Sequence, residues 1–484
     1  MFGIVHATSR AASALVLLCL HHASLVHAEG APDLSFGTQG FVRYEHSNVP
    51  EEPNIERGLQ IGRQPDGRLV VLAQHRIEDT ALADNPLVAI FDPNGGLLRG
   101  NLFHTAFGAP PDPPIAGAVI DSAGRALFVG DASGGLFMTV LTAVSTTPSF
   151  LYGAELDAVL PVNPSVAEFH RAILGFGNGD ILVCGMRTLT LFLMNPMCRL
   201  LTASGGIVPT FGNNSLFAPA GTFFLTATDI PNLEQGSILA AHLDRTGRIV
   251  LGGRIRLSGV NQDLFFSARL LRSGLFDASY CVNSTCAGAT ASAPGWRADS
   301  IADAGEISKS ALIERPDGSI AQVLDVKVQS AQQFASAFLL YRADGALAYA
   351  SVLQLGEWTR MGGQLGVQSD NKLIVPLSYR PNATTQLGAV LRVPADPAQD
   401  GGFDPDFEYA PAGVTPIPGI SVIRPNLPGG VPAASVECNS VLVESGSIIC
   451  AGLVRVSDTP LNLDLLLARI SIGEFDPVYA GGFE

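Results

Sequence analysis

The chain has 484 residues, of which 47% are hydrophobic and only 15% charged, and 29 Lys and Arg stand against 44 Asp and Glu for a formal net charge of −15. That acidic balance argues against nucleic acid and anionic lipid surfaces as partners. The length exceeds one ordinary compact core, so it calls either for two domains or for a repeated architecture that grows as a single one.

The first 28 residues read as a secretory signal: Arg10 leads, Ala11 to Leu20 is largely apolar, and Val26-His27-Ala28 is a small-residue cleavage site. The bulky Leu18 before Cys19 argues against lipid attachment. No later segment offers about 18 uninterrupted apolar residues, so the mature chain, 29–484, carries no transmembrane helix and is expected in the periplasm or outside the cell.

From there a short turn followed by an apolar run recurs seven times, first as Gln64-Pro65-Asp66-Gly67-Arg68-Leu69-Val70-Val71. The turn residues are Gly67, Gly124, Gly179, Gly247, Gly318, Asn371 and Gly446, all types that tolerate positive φ in a tight hairpin. The runs that follow, such as Ala126 to Val129 and Ile249 to Leu251, are continuous and rich in Val and Ile, the mark of strands buried on both faces. Six residues past the turn a small residue recurs as Ala73, Gly130, Gly185, Gly253 and Gly452, which permits close backbone approach. Leu324 and Leu377 break that rule, so units five and six are expected to pack differently there. A second strand and turn come next, at Asp92-Pro93-Asn94-Gly95, Arg272-Ser273-Gly274 and Arg342-Ala343-Asp344-Gly345, with Asn195-Pro196-Met197-Cys198 taking the turn's place in unit three. Pro411 to Pro432 reads as a long surface connection between units six and seven.

Thin antiparallel meanders that are apolar on both faces must stack to hide them, and closing the stack into a circle removes exposed ends. The pattern therefore predicts an all-β fold, a β-propeller of seven blades, each a four-stranded antiparallel sheet, over 29–484 as one domain. Asp33-Leu34-Ser35-Phe36-Gly37 is echoed at Phe276 to Tyr280, Phe403 to Phe407 and Phe475 to Tyr479, which suggests that an N-terminal strand near 40–45 closes the blade built from residues 436 to 472. In Asp33 to Gly40, Gln64 to Ala73, Ala268 to Tyr280, Arg315 to Ile320 and Gln368 to Ile374 the chain resembles the delta-60 repeat family. The resemblance implies a propeller in an exported bacterial protein and brings no catalytic residues with it.

Six cysteines follow the signal, an even number that favours disulfides in an exported chain. Proximity suggests Cys184 with Cys198, Cys281 with Cys286 and Cys438 with Cys450, the alternative for Cys184 and Cys450 being a buried thiol. His46, His75, His104, His170 and His242 are scattered without metal-ligand spacing and read as surface or edge residues. Asp396, Asp400, Asp404, Asp406 and Glu408 could offer oxygens to Ca²⁺, but read better as a solvated acidic turn. Trp296 and Trp358 are the only tryptophans, either sugar-stacking platforms or fillers between blades.

No catalytic, cofactor or metal constellation is legible, and no cofactor is expected. Two functions stay open. One is a monomeric, exported binding or scaffold propeller for an unknown protein or small-molecule ligand. The other is a propeller-type hydrolase or lyase whose active site converges near the central channel from several blades. A ligand-sized pocket lined by converged polar groups separates the second from a plugged, apolar channel.

Overall fold

The computed structural model describes residues 29–46, 54–77, 84–102, 115–121, 124–131, 139–145, 154–159, 168–190, 193–212, 220–282, 286–400, 402–458 and 461–472. The signal residues 1–28, His104 and the Phe475 to Tyr479 echo lie outside them. Among the described residues there is no α-helix; the architecture is all β and propeller-like.

After β1 (Phe41–Tyr44), unit one contributes β2 (Asn54–Arg63), β3 (Leu69–Ile77), β4 (Asp84–Phe91) and β5 (Leu97–Leu102). Unit two holds β6 (Ile115–Ile120), β7 (Arg125–Asp131), β8 (Thr139–Ser145) and β9 (Ala154–Val159). Unit three holds β10 (Glu168–Gly175), β11 (Ile181–Thr190), β12 (Leu193–Leu201) and β13 (Thr222–Phe224). Unit four holds β14 (Leu233–Leu243), β15 (Ile249–Leu257), β16 (Leu264–Leu270), β17 (Ala291–Ala293) and β18 (Trp296–Asp299). Unit five holds β19 (Ala304–Glu314), β20 (Ile320–Val328), β21 (Gln333–Tyr341) and β22 (Leu347–Leu353). Unit six holds β23 (Trp358–Met361), β24 (Gly366–Val367), β25 (Leu373–Asn382), β26 (Thr385–Val393) and β27 (Ile420–Ile423). Unit seven holds β28 (Val436–Glu444), β29 (Ser447–Asp458) and β30 (Leu461–Ser471).

Units two to six are separate antiparallel meanders, while units seven and one share an eight-stranded sheet. In that sheet β1 pairs antiparallel with β30, Phe41 opposite Ala468 and Tyr44 opposite Leu465, and β2 runs briefly parallel to β30. Each sheet packs on the next in chain order, β2 on β6, β6 on β10, β10 on β14, β14 on β19, β21 on β23 and β25 on β28, and β28 packs back on β2. The middle strands are buried on both faces, as in β16, whose seven residues are all buried. Each Val, Leu or Ile so buried adds roughly 1.5–3 kcal/mol.

The recurring small residue has a direct physical reason. Opposite it, the first strand of the unit carries a β-bulge, between Gly58 and Gln60, Ile115 and Gly117, His170 and Ala172, Ile238 and Ala240, and Cys438 and Ser440. The bulged backbone presses in so far that a β-carbon on Gly185, Gly253 or Gly452 would sit 1.9 Å, 2.1 Å or 1.9 Å from a carbonyl oxygen. Where Leu324 and Leu377 fill that space the first strand changes course: β19 is displaced earlier, at Ile307, and in unit six the strand splits into β23 and β24.

A second recurring device joins successive units. The third strand bears Arg269, Arg392 or Arg469, whose guanidinium pairs with Asp277 at 2.8 Å, Asp404 at 2.9 Å or Asp33 at 3.8 Å. It also lies 4.8 Å, 4.8 Å or 4.4 Å from the ring centre of the aromatic three residues on, Tyr280, Phe407 or Phe36. After Phe36 and Tyr280 the following N–H bonds the hairpin of the next unit, Gly37 to the Asn94 carbonyl and Cys281 to that of Asp344, and Gly212, after Phe211 and without the acidic partner, reaches the Ser273 carbonyl in the same way. Cys281 takes the positive φ, 60°, that glycine takes at Gly37 and Gly212. This is the structural content of the Asp-x-x-aromatic echo.

Two expectations need correction. Asn195 to Cys198 is not a turn but the middle of β12, where the Pro196 carbonyl accepts the Leu225 N–H and Cys198 faces Cys184; the hairpin lies at Thr202 to Gly206. The Pro411 to Pro432 stretch is not only a connection, because it contains β27, the buried outer strand of unit six. All three cysteine pairs are bonded: Cys184–Cys198 and Cys438–Cys450 link adjacent strands, and Cys281–Cys286 closes a loop after β16.

Candidate functional site: the axial cavity

The first strands of all seven units, β2, β6, β10, β14, β19, β23 and β28, line one cavity of about 580 Å³. That is within the range of small-molecule sites, roughly 300–1,000 Å³. The bulges shape it, since the extra residues Leu59, Ala116, Leu239 and Asn439 all line its wall.

The wall is asymmetric. Near the beginnings of β2, β19, β23 and β28 it carries Arg57, Lys309, Trp358, Arg360 and Glu437, with Asp325 from β20 beside them. Toward the hairpin ends it is aliphatic, with Val119, Ile173, Leu174 and Ile313. At mid-height Gln364 uses both amide atoms on the backbone of Ile61, accepting its N–H and donating to its carbonyl, each at 3.0 Å. Gln60 accepts the Ile120 N–H at 2.9 Å, so these amides tie first strands to one another.

At the charged end the carboxylates are already engaged. Glu437 pairs with Arg57 at 3.2 Å and accepts the Gln386 amide at 3.1 Å. Asp325 accepts the Met361 N–H at 2.6 Å, and burial pushes its carboxyl up to about 6 against the opposing pull of Lys309 and Arg360. The cations are less satisfied. Lys309 donates to the Met361 carbonyl at 3.2 Å, and burial, helped by Arg57 and Arg360, holds its ammonium below the ordinary lysine value despite Asp325 and Glu437. Arg360 lies 4.2 Å from the Phe334 ring centre and 5.8 Å from that of Trp358, and makes no ion pair among the described residues.

The other sequence candidates fall elsewhere. No disulfide cysteine lines the cavity. Trp296 is buried against Phe266, whereas the half-buried Trp358 lines the cavity with Arg360 and Arg380 beside it. The reading of the histidines as surface residues is overturned for His75 and His170, which are 2% and 0% exposed. Burial, with Arg199 and Arg171 nearby, pushes His170 down to about 3, so it stays neutral. His242 lines the cavity, but its Nε2 accepts the Glu314 N–H, and burial pushes it down to about 4. Asp404 is no solvated turn residue either; it is buried and paired with Arg392 and Lys372. No group of three or more potential metal ligands occurs among the described residues. The polar end of the cavity escaped sequence reading because its members come from four units and share no local spacing.

No family model matches the chain, and no curated protein matches it. Among solved structures it is similar to a protein of unknown function from Dyadobacter fermentans, with 10% identity and a TM-score of 0.41 over 89% of this chain and 99% of that one. It is also similar to an ulvan lyase of a polysaccharide lyase family, with 11% identity and a TM-score of 0.45 over 88% of this chain and 96% of that one. A third is an α-L-arabinanase from Penicillium chrysogenum, with 9% identity and a TM-score of 0.41 over 88% and 96% of the two chains.

Proposed function

We propose that this chain is an exported, monomeric, seven-bladed β-propeller of the delta-60 repeat type that binds a small organic ligand in its axial cavity. The observation that carries the reading is the convergence of Arg57, Lys309, Asp325, Arg360 and Glu437, from four units, at one end of a 580 Å³ cavity. Gathering three cations, Arg57, Lys309 and Arg360, at one end of a cavity has a repulsive cost that packing alone does not require. Their placement supports recognition, and the excess of cations over carboxylates favours a ligand bearing negative charge. Three disulfides accord with export, and no helix among the described residues is long and apolar enough to cross a membrane.

A thermal-shift screen of organic anions tests this. A ligand should raise the melting temperature of the wild type and lose its effect in Lys309→Met/Arg360→Met. A shift that survives the double substitution, or none across the screen, counts against the axial site.

One observation favours the second reading, a hydrolase or lyase. Lys309 is held below and Asp325 above its ordinary value in the same charged end, the two directions that an acid–base pair requires. Under that reading, Lys309→Met abolishes turnover of a neutral or uronate-bearing polysaccharide while binding persists. Absence of turnover across such a panel leaves binding as the function.

A further inference from the structure

We propose that the ligand of the axial cavity is an amphipathic carboxylate, an aliphatic chain with a single anionic head; this deepens the axial-site reading and rests on it. The head is assigned by the charged end. Lys309 and Arg360 make no ion pair there among the described residues, and the Arg57 that faces them shares its charge with Glu437 alone. In a chain of net charge −15, the cavity thus concentrates cation where the whole molecule is acidic. A carboxylate placed between Lys309 and Arg360 gains charge-assisted hydrogen bonds from both and relieves their mutual repulsion.

The tail is assigned by the opposite end. Val119, Ile173, Leu174 and Ile313 offer a ligand no hydrogen bond from their side chains, and the polar groups that reach this far are already engaged in part. His242 already accepts the Glu314 N–H, Gln364 has both amide atoms on Ile61, and the Gln60 oxygen is on Ile120. A polyhydroxylated ligand would bring hydroxyls against this wall and leave them without partners, which is unfavourable once the ligand has displaced the water they bonded. Methylene groups meet the same wall with a gain, because they leave water for an apolar surface. One end selects charge and the other selects hydrocarbon, so a molecule carrying both fits where a uniformly polar one does not.

Calorimetric titration of the full chain with decanoate, acetate, decanol and an oligogalacturonate tests this. Decanoate should bind at least about tenfold more tightly than acetate, because its methylenes reach the aliphatic wall. Lys309→Met/Arg360→Met should weaken decanoate about tenfold or more and leave decanol unchanged. Ala241→Phe, which narrows the hydrocarbon end, should weaken decanoate and spare acetate. Oligogalacturonate bound through Lys309 and Arg360 while decanoate gives no signal would keep the axial site and overturn the amphipathic ligand. Neither compound bound through those two cations, in variants that retain the wild-type circular dichroism, would remove the axial site itself and this proposal with it.

Discussion

Arg269, Arg392 and Arg469 each hold a carboxylate and an aromatic ring at once, and each is nearly buried, so the pairs are costly to break from one side. Arg269→Met should cost about 1.5–3 kcal/mol in chemical denaturation, because Asp277 would lose its nearer, buried cation and keep only the longer pair with Arg248 at 3.2 Å, and Arg269→Met/Asp277→Asn should recover part of that loss. The sequence showed the aromatic and acidic half of this device in the Asp-x-x-aromatic echo. Its basic half was equally visible in Ala268-Arg269-Leu270, Leu391-Arg392-Val393 and Ala468-Arg469-Ile470, but the two halves approach only through pairing between strands. Asp464 behaves differently. It is fully buried, paired with Arg43 at 2.9 Å, and burial pushes its carboxyl up to about 7 with Glu45 and Glu56 adding to the rise. The folded chain therefore holds this proton more tightly than the unfolded one, so stability falls as pH climbs from about 4 to about 7. Asp464→Asn should flatten that slope, a difference on the order of 1–3 kcal/mol at pH 8, readable from denaturation midpoints at pH 5 and pH 8.

At the scale of the element, the bulge and the small residue facing it are one unit. Gly253→Ala would place a methyl 2.1 Å from the Ser237 carbonyl, in strand backbone that has nowhere to move, and should cost about 2–4 kcal/mol by thermal unfolding. The turns and middle strands were legible from sequence because tight hairpins and two-sided burial each leave a local signature, as at Gly67 and in Leu69 to Ala73. The outer strands were not. β13 and β27 are three and four residues long and lie among Gly and Pro, so their pairing partners, not their own residues, make them strands. Pro196 misled for the opposite reason: it marks turns in isolation, yet inside β12 its carbonyl is bonded and Cys198 is tied to Cys184.

At the scale of the whole molecule, the N-terminal segment completes what the last unit lacks. Gly30 and Asp33 donate to the carbonyls of Ser471 and Arg469, Glu29 pairs with Arg392, and β1 lies along β30. Deleting residues 29–45 should lower the melting temperature by several degrees, at about 1 °C for each kcal/mol lost in a domain this size. An unchanged melt would mean that the last unit needs no outer strand. The axial site lies at this scale too, which is why no stretch of sequence announced it. Lys309 is one of only three lysines, Arg360 lies two residues after Trp358, and nothing but the stacking of units places them together.

The register of Phe41 against Ala468 carries a further consequence for how the polypeptide comes into being. A ribosome working through this message delivers one half of that pair more than 400 codons before the other. Until then the early segment travels as a loose ribbon, and hydrophobic side chains such as Phe36 and Val42 must be shielded by chaperones or remain at risk of clumping. A message cut short before codon 461 would yield a product with no resting place for its opening strand, however sound the units in between.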